Sequence, residues 1–214
     1  MKTCIQLKNE NRYTLPEEFQ DDDVRYAEDL VEYFLREFTH ENDIVFDPFA
    51  GFGTTLFVAK RMGRIPLGIE YDPKRVHYIQ SKLQQPGQII HGDSRQLKSY
   101  SLPIFNFSIT SPPYMGKDDI ENPFTAYSTI GAGYKIYLSD ICNIYTQVAT
   151  IMHDKAKVVI EVSNIKNKNS ITTLAWDIAE EVSKVLHFEG EIIVDWDSYG
   201  YGYSHSYCLL FAKP

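Results

Sequence analysis

Short apolar runs alternate with amphipathic stretches along this chain, and the alternation predicts strands and helices in turn. Predicted strands occupy 43–46, 65–70, 88–90, 104–109, 157–162, 190–196 and 206–211. An apolar residue every four positions predicts an amphipathic helix before the first strand: Tyr26, Leu30, Phe34 and Phe38. Further helices are predicted at 56–60, 73–84, 135–152 and 171–187, and the last two strands are expected to form a closing hairpin. Strands that alternate with helices favour an α/β fold with a doubly wound, mostly parallel sheet.

Length and composition agree with a single domain. The chain has 214 residues, of which 43% are hydrophobic, enough to bury a full core. No stretch approaches the ~20 apolar residues of a membrane span, and the first residues lack the apolar core of a signal peptide. The three cysteines are widely spaced and the six histidines are scattered. This pattern favours a cytoplasmic protein with reduced thiols and no metal site.

A glycine-containing string joins the first predicted strand to a helix; this glycine loop reads Asp47-Pro48-Phe49-Ala50-Gly51-Phe52-Gly53-Thr54-Thr55. A nucleotide-triphosphate P-loop is excluded because it needs a Lys after its last Gly, where this chain has two threonines. A dinucleotide fingerprint is excluded because its third Gly would fall on Leu56. What remains is a tight turn that a ligand can approach closely, with the Asp47 carboxylate suited to a cationic amino-acid group. The alternative is an ordinary strand-to-helix turn.

Two further carboxylates follow predicted strands. Glu70 ends the second strand, where nucleoside-binding sheets place the acceptor of ribose hydroxyls. Asp93 follows the third strand and precedes Ser94. Either carboxylate alone could simply be solvated. Ligands bind beyond the carboxyl ends of strands in open α/β sheets, so the glycine loop, Glu70 and Asp93 are expected to serve one site.

A second string, Thr110-Ser111-Pro112-Pro113-Tyr114, follows the fourth predicted strand. Its two prolines fix φ, offer no backbone N–H and force Ser111 into an extended conformation. The Ser111 hydroxyl and the Pro112 carbonyl are suitable acceptors for the two hydrogens of an amino group. The alternative is a proline-rich turn with a tyrosine at the edge of the core.

Together the two strings resemble the cofactor loop and catalytic loop of the S-adenosylmethionine-dependent amino methyltransferases of DNA, which act on cytosine N4 or adenine N6. The resemblance implies a Rossmann-like methyltransferase fold with a seven-stranded sheet whose last strand is antiparallel. It also implies S-adenosylmethionine as the cofactor, with an acidic residue at the place of Asp93 contacting the adenine ring. The residues expected to bind the cofactor are Asp47, Pro48, Phe49, Ala50, Gly51, Gly53, Thr54, Thr55, Glu70, Tyr71, Asp93 and Ser94.

The resemblance assigns catalysis to Ser111, Pro112, Pro113 and Tyr114, with Tyr114 stacking on a base flipped out of the duplex. Methylation of cytosine at carbon 5 requires a Cys nucleophile, usually in a Pro-Cys dipeptide, and the chain has no such dipeptide. Among the enzymes resembled, Ser before Pro-Pro is commoner in those that act on cytosine N4, and Asp or Asn in those that act on adenine. Cytosine N4 is therefore favoured over adenine N6.

The net charge of −8 is unusual for a nucleic-acid enzyme, because phosphate contacts supply much of the affinity. Positive charge could be local, on loops that open to the active edge of the sheet, and alternating Tyr and Gly near 198–205 could stack on bases. The alternatives are lysines that solvate a loop and turn aromatics that pack internally. The candidate substrate-binding residues are Lys117, Lys166, Lys168, Tyr199, Tyr201 and Tyr203.

The expected organisation is one methyltransferase domain over 1–214, with 1–24 as an N-terminal extension and 115–134 as a candidate substrate loop. The chain leaves no room for a separate target-recognition domain, so a short target, a homodimer or a specificity partner protein is expected. DNA is the expected substrate, and no membrane is involved. Two alternatives stay open: an RNA base methyltransferase, and a non-catalytic subunit that binds nucleic acid. The intact glycine loop and Ser-Pro-Pro-Tyr string argue against the second.

Overall fold

The computed structural model describes residues 2–85, 87–125, 133–199 and 202–213. Its main sheet has eight strands in the order β1-β9-β10-β6-β5-β2-β3-β4, and a separate hairpin pairs β7 with β8. The strands are β1 Cys4–Leu7, β2 Ile44–Asp47, β3 Ile65–Glu70, β4 Ile89–His91, β5 Phe105–Thr110, β6 Met152–Val162, β7 Ile165–Lys166, β8 Ile171–Thr172, β9 His187–Trp196 and β10 His205–Ala212.

The predicted sheet is confirmed in its parallel centre and its antiparallel last strand. Strands β4, β3, β2, β5 and β6 pair in parallel, and β10 runs antiparallel to both β6 and β9. Strands β2 and β3 are buried on both faces, which is why each appears in the sequence as a continuous apolar run up to its last residue.

The prediction of seven strands is wrong by one. Cys4–Leu7, assigned to an N-terminal extension, adds an eighth strand that pairs in parallel with β9 at the sheet edge. Four residues with Ile5 as the buried side chain are too few to give a recognisable alternation of polar and apolar positions.

Five helices cover the two faces of the described sheet. They are α1 Glu28–Phe38, α2 Thr54–Arg61, α3 Pro73–Leu83, α4 Gly133–Thr150 and α5 Leu174–Ser183. Helices α4 and α5 contribute to the larger core on one face, and α1 and α2 contribute to a second core on the other. Helix α3 begins cleanly because Asp72 accepts hydrogen bonds from the amides of Lys74 and Arg75 and Pro73 occupies the first turn. The predicted double winding is confirmed.

The segment from Arg12 to Arg25 folds back onto the glycine loop. Leu15 and Phe19 are buried, and the Phe19 ring packs edge-on against that of Phe52 with centroids 5.3 Å apart. Arg12 also forms an ion pair with Asp29 of α1. The predicted extension is thus part of the core that supports the glycine loop.

Helix α5 begins at Leu174, three residues later than predicted. Ile171 and Thr172 instead pair antiparallel with Ile165 and Lys166 to form the β7–β8 hairpin. None of the helices in the described ranges is both long and apolar enough to cross a membrane.

Candidate active site

The two strings predicted from sequence meet at neighbouring strand ends. Strands β2 and β5 pair in parallel, with Phe46 opposite Ser108. The last residues of the two strands are joined directly, because the Thr110 hydroxyl donates a hydrogen bond to Asp47 Oδ1 at 2.6 Å. Ser111 therefore follows a residue that is tied to the first residue of the glycine loop.

The glycine loop depends on glycine at two positions. Gly51 and Gly53 have φ of +54° and +83°, in the left-handed region that favours glycine. A Cβ at Gly53 would lie 2.9 Å from Ile79 Cγ1, so this position is closed by packing. A Cβ at Gly51 would meet only Phe49 O, at 3.9 Å, among the described atoms. The loop therefore packs tightly behind Gly53 and presents open space at Gly51.

Asp47 is almost fully buried beneath this loop. Its Oδ1 also accepts the Phe49 amide at 2.9 Å. Its Oδ2 lies near the hydroxyls of Thr55 and Tyr26, yet it makes no hydrogen bond of good geometry within the described part of the chain. Burial raises the pKa of Asp47, and the hydrogen bond from Thr110 opposes that rise. One buried oxygen thus remains available to a further donor.

Glu70 joins the end of β3 to the same loop. Its Oε2 accepts the Gly51 amide and its Oε1 the Asp72 amide, each at 2.8 Å. Burial is the main cause of its raised pKa. Each carboxylate oxygen has a second acceptor site, so Glu70 can position the loop and still accept a hydroxyl.

The other residues predicted for the cofactor lie around these two carboxylates. Thr54 and Thr55 are buried, and the Thr55 hydroxyl bonds that of Tyr26. The Ser94 hydroxyl donates to the carbonyl of Pro48, which ties the end of β4 to the glycine loop. Asp93 forms an ion pair with Arg95 at 2.7 Å, while the Tyr71 side chain is exposed. Ala50 and the half-buried Phe49 pack beneath the loop. A ligand that contacts the Asp93 carboxylate would therefore have to compete with the Arg95 guanidinium.

The Ser-Pro-Pro-Tyr string is anchored from two sides. Tyr137 of α4 donates a hydrogen bond to the Pro113 carbonyl at 3.0 Å. The Tyr114 hydroxyl accepts the Ser163 amide at 2.9 Å and donates to Glu161 Oε2 at 3.2 Å. Pro112 is buried, whereas Ser111 and the Tyr114 ring stay half-buried. The hydroxyl of Tyr114 is thus fixed inward while part of its ring remains accessible.

Sequence reasoning missed Glu161, a buried carboxylate next to the Ser-Pro-Pro-Tyr string. Its side chain lies near the carboxyl end of β6 and is 2% exposed. The hydroxyls of Tyr114 and Tyr199 donate hydrogen bonds to it, and the hydroxyls of Ser111 and Ser206 lie near it. Burial raises its pKa and these hydrogen bonds oppose the rise. The available signal was an acidic residue inside the apolar run from Val158 to Val162, where an unpaired charge would be costly.

The segment after Tyr114 packs over the active edge. Phe124 stacks between Phe49 of the glycine loop and Tyr137 of α4, with centroids 5.7 and 5.2 Å away. Asn122 and Met115 are also buried. Residues 126–132 of the predicted substrate loop lie outside the described ranges. Phe124 therefore packs the described end of this loop against the glycine loop and α4.

The candidate lysines lie on segments that touch one another. Lys117 donates its amide to the Thr172 hydroxyl of the β7–β8 hairpin at 3.0 Å. Gly202, in the turn between β9 and β10, packs so closely on Lys166 that a Cβ there would lie 2.9 Å from the lysine Cβ. The side chains of Lys117, Lys166 and Lys168 are exposed. The structure brings these three segments together beside the Ser-Pro-Pro-Tyr string.

The candidate tyrosines divide between packing and exposure. Tyr199 stacks on Trp196 at 5.8 Å and donates a hydrogen bond to Glu161 Oε1 at 3.0 Å, which is the internal packing considered as its alternative. Tyr203 is half-buried and contacts the His205 ring edge-on at 5.4 Å. Tyr201 lies outside the described residues.

An aromatic row that sequence reasoning missed continues from Tyr203. His205 contacts the ring of Tyr207, which packs against the exposed Trp176 of α5 with centroids 4.9 Å apart. Three of these residues alternate along β10 and its preceding turn, so they share one face of the strand. The row runs from the turn at the active edge onto the face that carries α5.

The described residues include no group of three or more His, Cys, Asp or Glu side chains placed to hold a metal ion.

Comparison with known proteins matches a part of the chain that contains the glycine loop by sequence, and most of the chain by structure. A family profile described as DNA methylase matches residues 6–81. The Type II methyltransferase M.MjaII of Methanocaldococcus jannaschii is 33% identical over 95 residues, which are 44% of this chain and 17% of that protein. M.BglII of Bacillus subtilis, also a Type II methyltransferase, is 43% identical over 53 residues, or 25% of this chain and 15% of that protein.

The resemblance to the DNA amino methyltransferases is confirmed. Less than a fifth of the length of either Type II methyltransferase is matched, so the likeness to them is local.

Solved structures show that most of the chain has the fold of known methyltransferases. TrmN from Thermus thermophilus superposes with a TM-score of 0.63 at 14% identity, covering 92% of this chain and 52% of TrmN. The magnesium protoporphyrin IX methyltransferase ChlM from Synechocystis, solved with bound SAM, gives 0.55 at 13% identity over 87% of this chain and 77% of ChlM. At these identities the comparison establishes the fold alone, which is Rossmann-like and shared with methyltransferases.

Proposed function

We propose that this protein transfers a methyl group from S-adenosylmethionine to an exocyclic amino group of a base in DNA, with cytosine N4 favoured over adenine N6. The observation that carries the proposal is the hydrogen bond between Thr110 and Asp47, which holds Ser111 beside the glycine loop. A methyl donor at the loop and an amino group at Ser111 would then be neighbours. Such positioning supplies much of the acceleration in a direct transfer.

The glycine loop suits the proposed cofactor on three grounds. Open space at Gly51 lets a ligand approach the backbone, the free buried oxygen of Asp47 suits a cationic amino group, and Glu70 can accept ribose hydroxyls. Tyr71 and Asp93 would lie beside its adenine ring. When bound, S-adenosylmethionine supplies a methyl group made electrophilic by the adjacent sulfonium.

The Ser-Pro-Pro-Tyr string would prepare the acceptor. An exocyclic amino nitrogen is a poor nucleophile because its lone pair is delocalised into the base. The Ser111 hydroxyl and the Pro112 carbonyl would accept its two hydrogens and so aim the lone pair away from the ring plane. The accessible part of the Tyr114 ring would stack on the flipped base. No covalent enzyme intermediate is needed.

The exposed lysines and the aromatic row offer a surface for the nucleic acid. Lys117, Lys166 and Lys168 would contact phosphates, and Tyr203 together with His205 would contact bases next to the target. A homodimer or a specificity partner would extend this small footprint. Two residues of the acidic chain, Asp118 and Asp119, adjoin Lys117, so we expect weak binding that is sensitive to salt.

Mass spectrometry of nucleosides tests the proposed reaction. DNA and RNA from cells expressing the wild type should show N4-methylcytosine in DNA, and cells expressing Ser111→Ala should lack it. N6-methyladenine in DNA would support the enzyme class and reverse the base choice. Methylation confined to RNA would replace the substrate, and the absence of any new methylated base would contradict the proposal.

Reversing the charge of two lysines tests the binding surface. In Lys166→Glu/Lys168→Glu, affinity for short duplex and single-stranded oligonucleotides should fall, and the slope of log K against log salt should decrease by about one per lost phosphate contact. Lys155 and Lys184, at the opposite end of the sheet, provide a matched control as Lys155→Glu/Lys184→Glu with the same change in net charge. If both double variants give the same affinities and slopes, the substrate enters by another surface.

A further inference from the structure

Glu161 is a buried carboxylate beside the proposed catalytic hydroxyl, at the active edge of the sheet. It is opposite Cys208 in the β6–β10 pairing, one residue before the end of β6. A carboxylate that is 2% exposed must be compensated by hydrogen bonds, since burial without them is very costly. Its surroundings supply hydroxyls for this purpose.

The directions of these hydrogen bonds are fixed by chemistry. An ionised carboxylate can only accept, so each hydroxyl that bonds Glu161 must donate its hydrogen. Tyr114 donates to Oε2 while its oxygen accepts the Ser163 amide. On the opposite side, Ser206 accepts the indole N–H of Trp196 at 2.9 Å, which leaves the Ser206 hydrogen for Glu161.

The same rule determines what Ser111 can do. Its hydroxyl has one hydrogen and two lone pairs, and it lies near the Glu161 carboxylate, whose pKa it lowers. With the hydrogen given to the carboxylate, both lone pairs remain to accept from a ligand. A Ser111 that pointed its hydrogen at the base would instead oppose an amino group with a donor.

We propose that Glu161 is a positioning residue that takes the Ser111 hydrogen and thereby keeps this hydroxyl an acceptor for the amino group of the base. The role of Ser111 as an acceptor for a base rests on the proposed function. The arrangement of hydroxyls around Glu161 is independent of that function, because it follows from contacts among this chain's own residues. Glu161 also holds the Tyr114 ring in position through its hydrogen bond with the Tyr114 hydroxyl, so one carboxylate orients both side chains.

The arrangement depends on the charge of Glu161. A protonated Glu161 would be a donor itself and would release the hydrogen of one hydroxyl. The titratable groups that face it are Tyr114, Tyr199, Tyr26 and Cys208, and burial raises the pKa of all four. They stay neutral near pH 7 while Glu161 titrates. Because its pKa is raised, activity should be lost as pH falls through a value above that of an ordinary glutamate.

Kinetics of Glu161→Gln provide the first test. The amide preserves shape but can donate to Ser111, so kcat should fall by about 10- to 100-fold, the worth of a hydrogen bond to a charged group. The acid limb of the pH–rate profile should disappear, and KM for the cofactor should change little. Glu161→Asp should recover part of kcat. Glu28→Gln, which changes an equally buried carboxylate on α1, should affect stability and leave kcat unchanged.

A double-variant cycle asks whether Glu161 acts through Ser111. If it does, the loss of kcat in Ser111→Ala/Glu161→Gln should be smaller than the product of the two single losses. Multiplied losses, or a wild-type kcat in Glu161→Gln, would overturn the proposal.

NMR of ¹³C-tyrosine provides a test that needs no substrate. The Tyr114 and Tyr199 ring signals, assigned with Tyr114→Phe and Tyr199→Phe, should shift together as Glu161 titrates, and the shift should vanish in Glu161→Gln. Signals that ignore pH over the range of carboxyl titration would overturn the proposal. This result stands even if the wild type methylates no nucleic acid, a failure that would remove only the proposed function.

Discussion

Ser111→Ala is expected to lower kcat for methyl transfer by about 10²–10³ while cofactor affinity stays unchanged, because it removes one acceptor from a preorganised site. The Ser111 backbone is held by the two prolines that follow and by the link from Thr110 to Asp47, so the string should keep its conformation. Single-turnover assays on a cytosine-containing duplex would measure the rate, and calorimetric titration would measure cofactor binding.

Ser108→Ala is the matched control. Ser108 lies on the same strand, and its hydroxyl is buried without a hydrogen-bond partner in the described part of the structure. Its removal should leave both kcat and cofactor affinity near those of the wild type. Full activity in Ser111→Ala would contradict the role of its hydroxyl, and an equal loss in Ser108→Ala would indicate damage to β5.

Gly51→Trp is expected to weaken S-adenosylmethionine binding at least about 100-fold, which corresponds to about 2.7 kcal/mol. A side chain at Gly51 meets almost nothing of the protein, so the indole would fill the space proposed for the cofactor. A non-glycine residue at φ of +54° adds a strain of about 1–2 kcal/mol, which a folded domain can tolerate. Isothermal titration would give the affinity and thermal unfolding the stability.

Gly87→Trp separates strain from obstruction. Gly87 has φ of +83°, and a Cβ there would meet nothing within 4 Å. The two variants should lose similar stability, but only Gly51→Trp should lose cofactor binding. Wild-type affinity in Gly51→Trp would refute the proposed position of the pocket.

The sheet could be predicted where burial is uniform along a strand. Strands β2 and β3 are apolar up to their last residues, Asp47 and Glu70, because helices cover both faces, and the end of each apolar run marks the active edge. Edge strand β1 gave no such signal, because its pairing with β9 involves four residues whose exposure is mixed. The start of α5 was misplaced because two of its predicted residues have the backbone partners of a hairpin.

The location of the candidate site could be predicted from the sequence, but the hydrogen bonds between its residues could not. Parallel strand ends must share one edge, so Asp47, Glu70 and Ser111 could be grouped from their places in the sequence alone. The bond from Thr110 to Asp47 and the hydroxyls around Glu161 join residues distant in the chain, and no local pattern encodes them. Tyr199 illustrates the same limit, since its partners Trp196 and Glu161 decide between packing and exposure.

The pairing of β1 with β9 has a consequence for the order of assembly. Cys4 lies opposite Ile193, so strand β1 finds its hydrogen-bond partner only after the intervening residues, 5–192, have been synthesised. Contacts between residues so distant in sequence form slowly, because the intervening chain must lose conformational entropy before these contacts contribute favourable free energy. During translation the parallel centre can condense from β2 onwards, while residues 4–7 wait unpaired. Strand β1 therefore joins the sheet late, although it is synthesised before the strand with which it pairs.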